Sequence, residues 1–178
     1  MSFPTRRLRR LRRTPALRRL VAESRLTADD LIAPLFVREA IDEPQPISSL
    51  PGVVELLDQA EALGLAKAVA SSSPISWVGR HLDRLGIIER FAAVRTQDDV
   101  HRTKPWPDVF LAAATALQVR PERAVVFEDS RNGVLAAKEA GMFCVAVPNR
   151  ITEGMDFSDA DLVVSSLADV DLAALMSA

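Results

Sequence analysis

Three short segments hold the residue types that phosphoryl chemistry needs, and each follows an apolar run. In AVVFEDSRNG (124–133) the carboxylates Glu128 and Asp129 stand side by side where a buried strand would end. Hard oxygen ligands of this kind suit Mg2+, which takes one or two carboxylates and keeps several waters. In AKAVASSSP (66–74) the hydroxyls of Ser71, Ser72 and Ser73 come just before a helix. Such hydroxyls, with the free backbone N–H groups and partial positive charge of a helix start, suit an anion. In FAAVRTQDDVHRTKP (91–105) a polar turn leads to Lys104, which can neutralise a phosphoryl group as a point charge. Only three lysines occur, at 67, 104 and 138, against nineteen Arg, so a lysine in such a loop stands out.

Each segment has a plainer reading by itself. Serines are preferred N-caps and could simply start the helix at Pro74. Lys104 could be a solvated surface lysine. The acidic pair could be a turn before the next helix, assisted by Ser130 and Asn132. His81 reads as a structural or solvated residue within a helix, and His101 as a loop histidine that could orient Lys104. What favours chemistry is placement: serine, lysine and carboxylate pair fall after successive strands.

The positioning elements follow from apolar spacing. VVELLDQAEALG reads as a helix ended by Gly64, and AKAVA as a strand. PISWVGRHLDRLG reads as a helix with Pro74 in its first turn and Gly86 after it. FAAVRTQ is a strand, PWPDVFLAAATALQV a helix, AVVFED a strand, NGVLAAKEAG a helix, MFCVAVP and ADLVVSS strands, and LADVDLAALM a final helix. Strict alternation with apolar strands implies an α/β domain, its parallel sheet covered by helices on both faces. Ligands bind such sheets beyond the carboxyl ends of the strands, where the three segments lie.

In this order the segments resemble the motifs of the haloacid dehalogenase-like (HAD) superfamily, in particular the β-phosphoglucomutase-like phosphatases. VASSS resembles the second motif, KPWPDVFLAAA the third and VVFEDSRNGVLAAKEAGM the fourth. The resemblance covers residues 53–178 and implies a Rossmann-like core, with Ser71 and Ser72 contacting phosphate, Lys104 contacting phosphate and the catalytic aspartate, and Glu128 and Asp129 binding Mg2+. Thr103 and Trp106 stand where the family often has smaller residues. The implied function is a Mg2+-dependent phosphatase or phosphomutase acting on a small phosphorylated metabolite, a sugar phosphate above all.

The family's first motif, Asp-x-Asp-Gly-Thr/Val, supplies the nucleophile, the general acid/base and a metal ligand, and a cap domain separates it from the second. Neither is found in residues 1–52. LIAPLFV (31–37) is the one apolar strand there, and Arg38 follows it. The domain is therefore expected to be truncated and its catalysis impaired. Its sheet would lack a central strand between AKAVA and AVVFED, a slot that LIAPLFV has the composition to fill.

Residues 1–52 resemble the N-terminus of porphobilinogen synthase (5-aminolevulinate dehydratase), whose oligomerisation arm and first barrel strand this stretch matches. That implies a chimera joined near LPGVVELL, in a chain that could alternatively carry the synthase's tetrapyrrole label or act as a non-catalytic interaction module. IDEPQPISSLPG (41–52), with three of eleven prolines, is the linker. Residues 1–25 hold nine Arg against one acid, Glu23, while the rest of the chain holds 13 basic and 23 acidic residues. This basic arm on an acidic body fits a partner subunit best; a transit peptide is the next reading and nucleic acid the last. No apolar run reaches the roughly 18 residues of a membrane span. The lone Cys144 excludes an internal disulfide, and a cytoplasmic location is expected.

Overall fold

The structure is a computed structural model that describes residues 52–177 in full and the backbone of residues 31–32. The basic arm, most of the proline-rich linker and residues 33–37 lie outside the described residues, and with them the synthase resemblance and the partner reading of residues 1–25. The elements follow the expected alternation: β1 (Leu31–Ile32), α1 (Val53–Ala62), β2 (Ala68–Ala70), α2 (Ile75–Arg84), β3 (Ala93–Arg95), α3 (Asp108–Leu117), β4 (Val125–Glu128), α4 (Arg131–Glu139), β5 (Phe143–Ala146), β6 (Leu162–Val163) and α5 (Leu172–Met176). Every strand pair is parallel. One sheet has the order β1-β4-β5-β6, and β2 pairs with β3 separately.

β1 lies against the free edge of β4, with Leu31 opposite Val125 and Ile32 opposite Val126, and it also neighbours β2. AKAVA and AVVFED are therefore not paired directly. The first two residues of LIAPLFV occupy the slot between them, as expected for that segment.

Period-two alternation sorts the buried strands onto two faces. Val69, Val125, Phe127 and Val145 point to one side, where they pack with Leu56, Leu57 and Ala60 of α1, Val78 and Leu82 of α2, and Leu172 of α5. Ala68, Ala70, Val126, Cys144 and Ala146 point to the other, against Val109, Phe110 and Ala113 of α3 and Val134 and Ala137 of α4. β4 and β5 are apolar on both faces because helices cover both. Burial, reinforced by Glu128 and Asp161, pushes the Cys144 thiol up to about 12, so it serves as core filling rather than as a nucleophile.

Two ends differ from the sequence expectation. The final helix does not start at Leu167. Residues Leu167–Asp169 form a 3-10 turn, Val170 is extended, and α5 begins only after Asp171, whose Oδ1 accepts from the Ala174 N–H at 3.0 Å. A free Asp side chain one residue past an extended Val makes a better helix start than continuation through both. Pro74 is the residue flanking α2, with extended ψ, rather than a member of its first turn.

Gly52 ties the start of the described body to its end. Its φ of 95° lies in the left-handed region, and a Cβ there would sit 2.2 Å from the Ala168 backbone nitrogen. Gln59 on α1 adds a second tie, donating to Val170 O at 3.2 Å and accepting from Leu172 N–H at 3.0 Å. Gly64 shares the left-handed conformation, with φ 69°, but has open space around it. Gly64→Ala should therefore cost about 1 kcal/mol through backbone strain alone. Gly52→Ala should cost at least about 2 kcal/mol more, because α1 and the 167–169 turn must also separate. Urea denaturation of both variants checks the order.

Candidate active site

The rim at the carboxyl ends of β2, β3, β4 and β5 gathers the expected residues. β4 ends on Glu128, whose residue is 1 % exposed. Lys104, in the loop between β3 and α3, reaches it: its ammonium pairs with Glu128 Oε1 and lies 4.7 Å from the centre of the Phe110 ring. The ion pair is buried on both sides, with side-chain exposures of 8 % and 0 %. On the other carboxylate oxygen, Oε2, the Ser130 hydroxyl donates at 3.1 Å and the Ser130 N–H at 3.4 Å. Buried charge of this kind persists only when paired and hydrogen-bonded on every side.

The serines behave differently from one another. Ser72 Oγ accepts from the Lys104 backbone N–H at 3.3 Å, fastening the lysine loop to the end of β2. Ser71 Oγ accepts from the Ser73 N–H at 3.1 Å within its own turn, and its backbone N–H donates to Arg95 O at 2.9 Å. Capping of α2 falls to none of them: Asp98 Oδ2 accepts the Ile75 N–H at 2.8 Å, across 23 residues. Asp98 is held out by a turn built on Thr96, fully buried, whose N–H and hydroxyl both donate to Asp99 Oδ2, at 2.8 and 3.1 Å. The lysine loop is stiffened on its outer side by Arg102, which forks onto both Asp108 oxygens at 3.0 Å and stacks 4.5 Å over the Trp106 ring. His101 is exposed in this loop. His81 Nδ1 lies 2.7 Å from Trp77 O within α2, a structural contact.

Asp129, 5 % exposed, is held by a residue the sequence reading did not single out. Asn149, past the end of β5, donates from Nδ2 to Asp129 Oδ2 at 2.6 Å. Asn149 is itself fixed by its own turn: its Oδ1 accepts from the Ile151 N–H at 2.8 Å, and its N–H donates to Thr152 Oγ1 at 3.0 Å. The signal available in VPNRIT was an Asn followed three residues later by Thr, a pattern of self-closing polar turns.

The electrostatics of the two acids differ. Glu128 is matched by Lys104. Asp129 is pushed up to about 6, by burial first and then by the negative charge of Glu128, against weaker help from Lys104 and Asn149. That surplus of negative charge beside two hard oxygen ligands fits a divalent cation. Among the described residues no three His, Cys, Asp or Glu side chains converge as a complete cage. Mg2+ does not need one, because it fills its octahedron with water and substrate phosphate.

Two outcomes follow. Below about pH 4 Asp129 is protonated in both folded and unfolded chains. Between about pH 4 and 6 the folded chain still holds a proton that the unfolded chain has lost, so stability falls as pH rises across that window and levels off above it. Asp129→Asn should flatten the slope and raise the melting temperature at pH 7 in EDTA, as thermal scans from pH 4 to 7.5 will show. Lys104→Met, which strands a buried carboxylate, should lower the unfolding free energy by about 3 kcal/mol. Adding Glu128→Gln should return part of that loss in the same denaturation experiment.

A family profile for haloacid dehalogenase-like hydrolases matches residues 6–141. Among individual proteins, YhcW of Bacillus subtilis (strain 168) is 45% identical over 126 residues, covering 71% of this chain and 57% of that protein. Validoxylamine A 7'-phosphate phosphatase of Streptomyces hygroscopicus subsp. limoneus is 33% identical over 144 residues, 81% of this chain and 67% of that protein. β-Phosphoglucomutase of Bacillus subtilis (strain 168) is 37% identical over 132 residues, 74% of this chain and 56% of that enzyme. The crystal structure of CbbY from Rhodobacter sphaeroides in complex with phosphate superposes with a TM-score of 0.65 at 36% identity, over 67% of this chain and 55% of that one. The chain thus spans little more than half the length of most of these relatives. With the family profile covering most of its length and the parallel α/β core in place, the chain belongs to the haloacid dehalogenase-like hydrolase family.

Proposed function

We propose that this chain carries the phosphate- and Mg2+-binding half of a phosphatase or phosphomutase site for a small phosphorylated metabolite, a sugar phosphate by preference, with turnover strongly impaired. The observation that carries the reading is the buried Lys104–Glu128 pair set beside Asp129 and tied to Ser72. A buried acid that burial and a neighbouring charge both destabilise, set on a strand-end rim, is the kind of group that marks a functional site. The sugar-phosphate preference rests on the kinship with β-phosphoglucomutase.

In this reading Lys104 shares its ammonium between Glu128 and a phosphoryl oxygen. The Ser71 and Ser72 hydroxyls, whose oxygens accept from the Ser73 and Lys104 N–H groups, would donate to the phosphate ahead of α2. Glu128 and Asp129 would hold Mg2+, with Asn149 keeping the Asp129 carboxylate in one orientation. Bound Mg2+ would supply charge neutralisation and polarisation of the phosphoryl group. The covalent step needs a carboxylate nucleophile in line with that phosphorus. After β1, the strand adjoining β4, the sequence continues Ala33, Pro34, Leu35, with no acid before Glu39. Binding is therefore retained while the step that breaks the ester is lost.

Isothermal titration of the full chain with inorganic phosphate tests this. Binding should require Mg2+, disappear in Asp129→Asn and weaken at least about tenfold in Lys104→Met. Turnover of sugar phosphates should lie on the order of a thousandfold or more below that of an intact relative. Brisk Mg2+-dependent turnover that Asp129→Asn abolishes would overturn the impairment. Absence of phosphate binding with and without Mg2+ would overturn the reading as a whole.

A further inference from the structure

Gly133 lies in the first turn of α4 with nothing unusual in its backbone, yet it has the most crowded surroundings of any described glycine outside a tight turn. A Cβ built on it would come 1.9 Å from Glu128 Cδ, 1.9 Å from Oε2 and 2.4 Å from Oε1. The Glu128 carboxylate occupies the volume that any side chain at 133 would fill. Ordinarily the end of a long side chain swings away from such a clash. Here it cannot do so cheaply, because Glu128 is buried and both its oxygens are held, Oε1 by Lys104 and Oε2 by Ser130. The Ser130 hydroxyl also accepts from the Gly133 N–H at 3.1 Å, so one oxygen links the helix start to the carboxylate.

We infer that Gly133 is a positioning residue: its missing side chain is the space that seats the Glu128 carboxylate against Lys104 and so sets where the lysine ammonium stands. Its consequence for phosphate rests on the function proposed above; its steric core does not. Ser130 fixes the carboxylate from one side and Gly133 leaves room from another. Lengthening residue 133 by one carbon forces Glu128 to turn off Ser130, off Lys104 or off both. Removing one carbon from residue 128 should then undo the damage.

Four variants of the full chain decide it: Gly133→Ala, Glu128→Asp, the two combined, and Gly79→Ala. Gly79 lies inside α2 with open space at its Cβ position. Alanine there should hold or raise the melting temperature, since Ala is the better helix former. In EDTA, Gly133→Ala should lower it by about 5 °C or more. Glu128→Asp should lower it in the wild-type background and raise it in the Gly133→Ala background. That reversal of sign separates a shared volume from two independent defects. With Mg2+ present, the dissociation constant for inorganic phosphate should rise about tenfold in Gly133→Ala and recover in part in the double variant. A Gly133→Ala protein melting within a degree of wild type, or a Glu128→Asp effect of one sign in both backgrounds, would overturn the inference. If Gly133→Ala fails to fold, recovery of folded protein in the double variant supports the inference and failure of both overturns it. A wild-type chain that binds no phosphate sinks the functional reading alone, since the sign reversal is read without ligand.

Discussion

A carboxylate with no solvent access cannot remain charged unless every direction around it is answered, and Glu128 is such a group. Its burial dictates the rim of this domain. A lysine has to arrive from another strand end, which fixes the course of the loop between β3 and α3. That loop has to be anchored, which the Ser72 hydroxyl does at the Lys104 backbone and the Arg102–Asp108 fork does on the outer side. The second carboxylate oxygen has to be met from the next helix, which the Ser130 hydroxyl does at 3.1 Å. One buried charge thus couples the ends of β2, β3 and β4, elements that are otherwise divided between two separate sheets.

The architecture was legible because its cause is periodic. Apolar strands alternating with amphipathic helices have one stable solution, a parallel sheet covered on both faces, and the two packed sides of β4 and β5 bear it out. Local competition at the chain ends was not legible. Asp171 and the extended Val170 divide what reads as a single helix, because a side-chain cap can override propensity over a few residues. The division of labour among three adjacent serines was equally hidden. Their spacing says that a helix start is near, whereas Asp98, brought back from 23 residues away by a separate turn, does the capping.

The scarcity of lysine was a weaker clue than it looks. Lys67 is also buried and pairs with Glu61 at 3.1 Å, and Lys138 bridges Met142 O and Asp161. All three lysines are therefore engaged, and what distinguishes Lys104 is that its partner stands at a strand end beside a second acid. Asn149 and Gly133 escaped notice for another reason. Asn and Gly in polar turns are ordinary, and only the folded arrangement brings one of them onto Asp129 and leaves room for Glu128 at the other.

The charge balance at this rim separates two properties that usually travel together. Glu128 and Lys104 cancel in net charge. Asp129 has only weaker help to set against its burial and the Glu128 charge, from that lysine, the Asn149 amide and a backbone hydrogen bond, and it is pushed up to about 6 as a result. An acid left in that condition weakens the fold near neutral pH, and a cation or phosphate–cation unit is the kind of partner that would reverse the effect. None of this depends on a nucleophile. In the proposed reading the groups that would bind and neutralise a phosphate sit on β2, the β3 loop and β4, whereas the attacking carboxylate would have to come from the strand beside β4. In this chain that strand is β1, and the residues after it carry no acid before Glu39. Recognition and bond breaking would thus fall to different strands, and the Lys104–Glu128 and Asn149–Asp129 contacts that hold the first together lie outside the second.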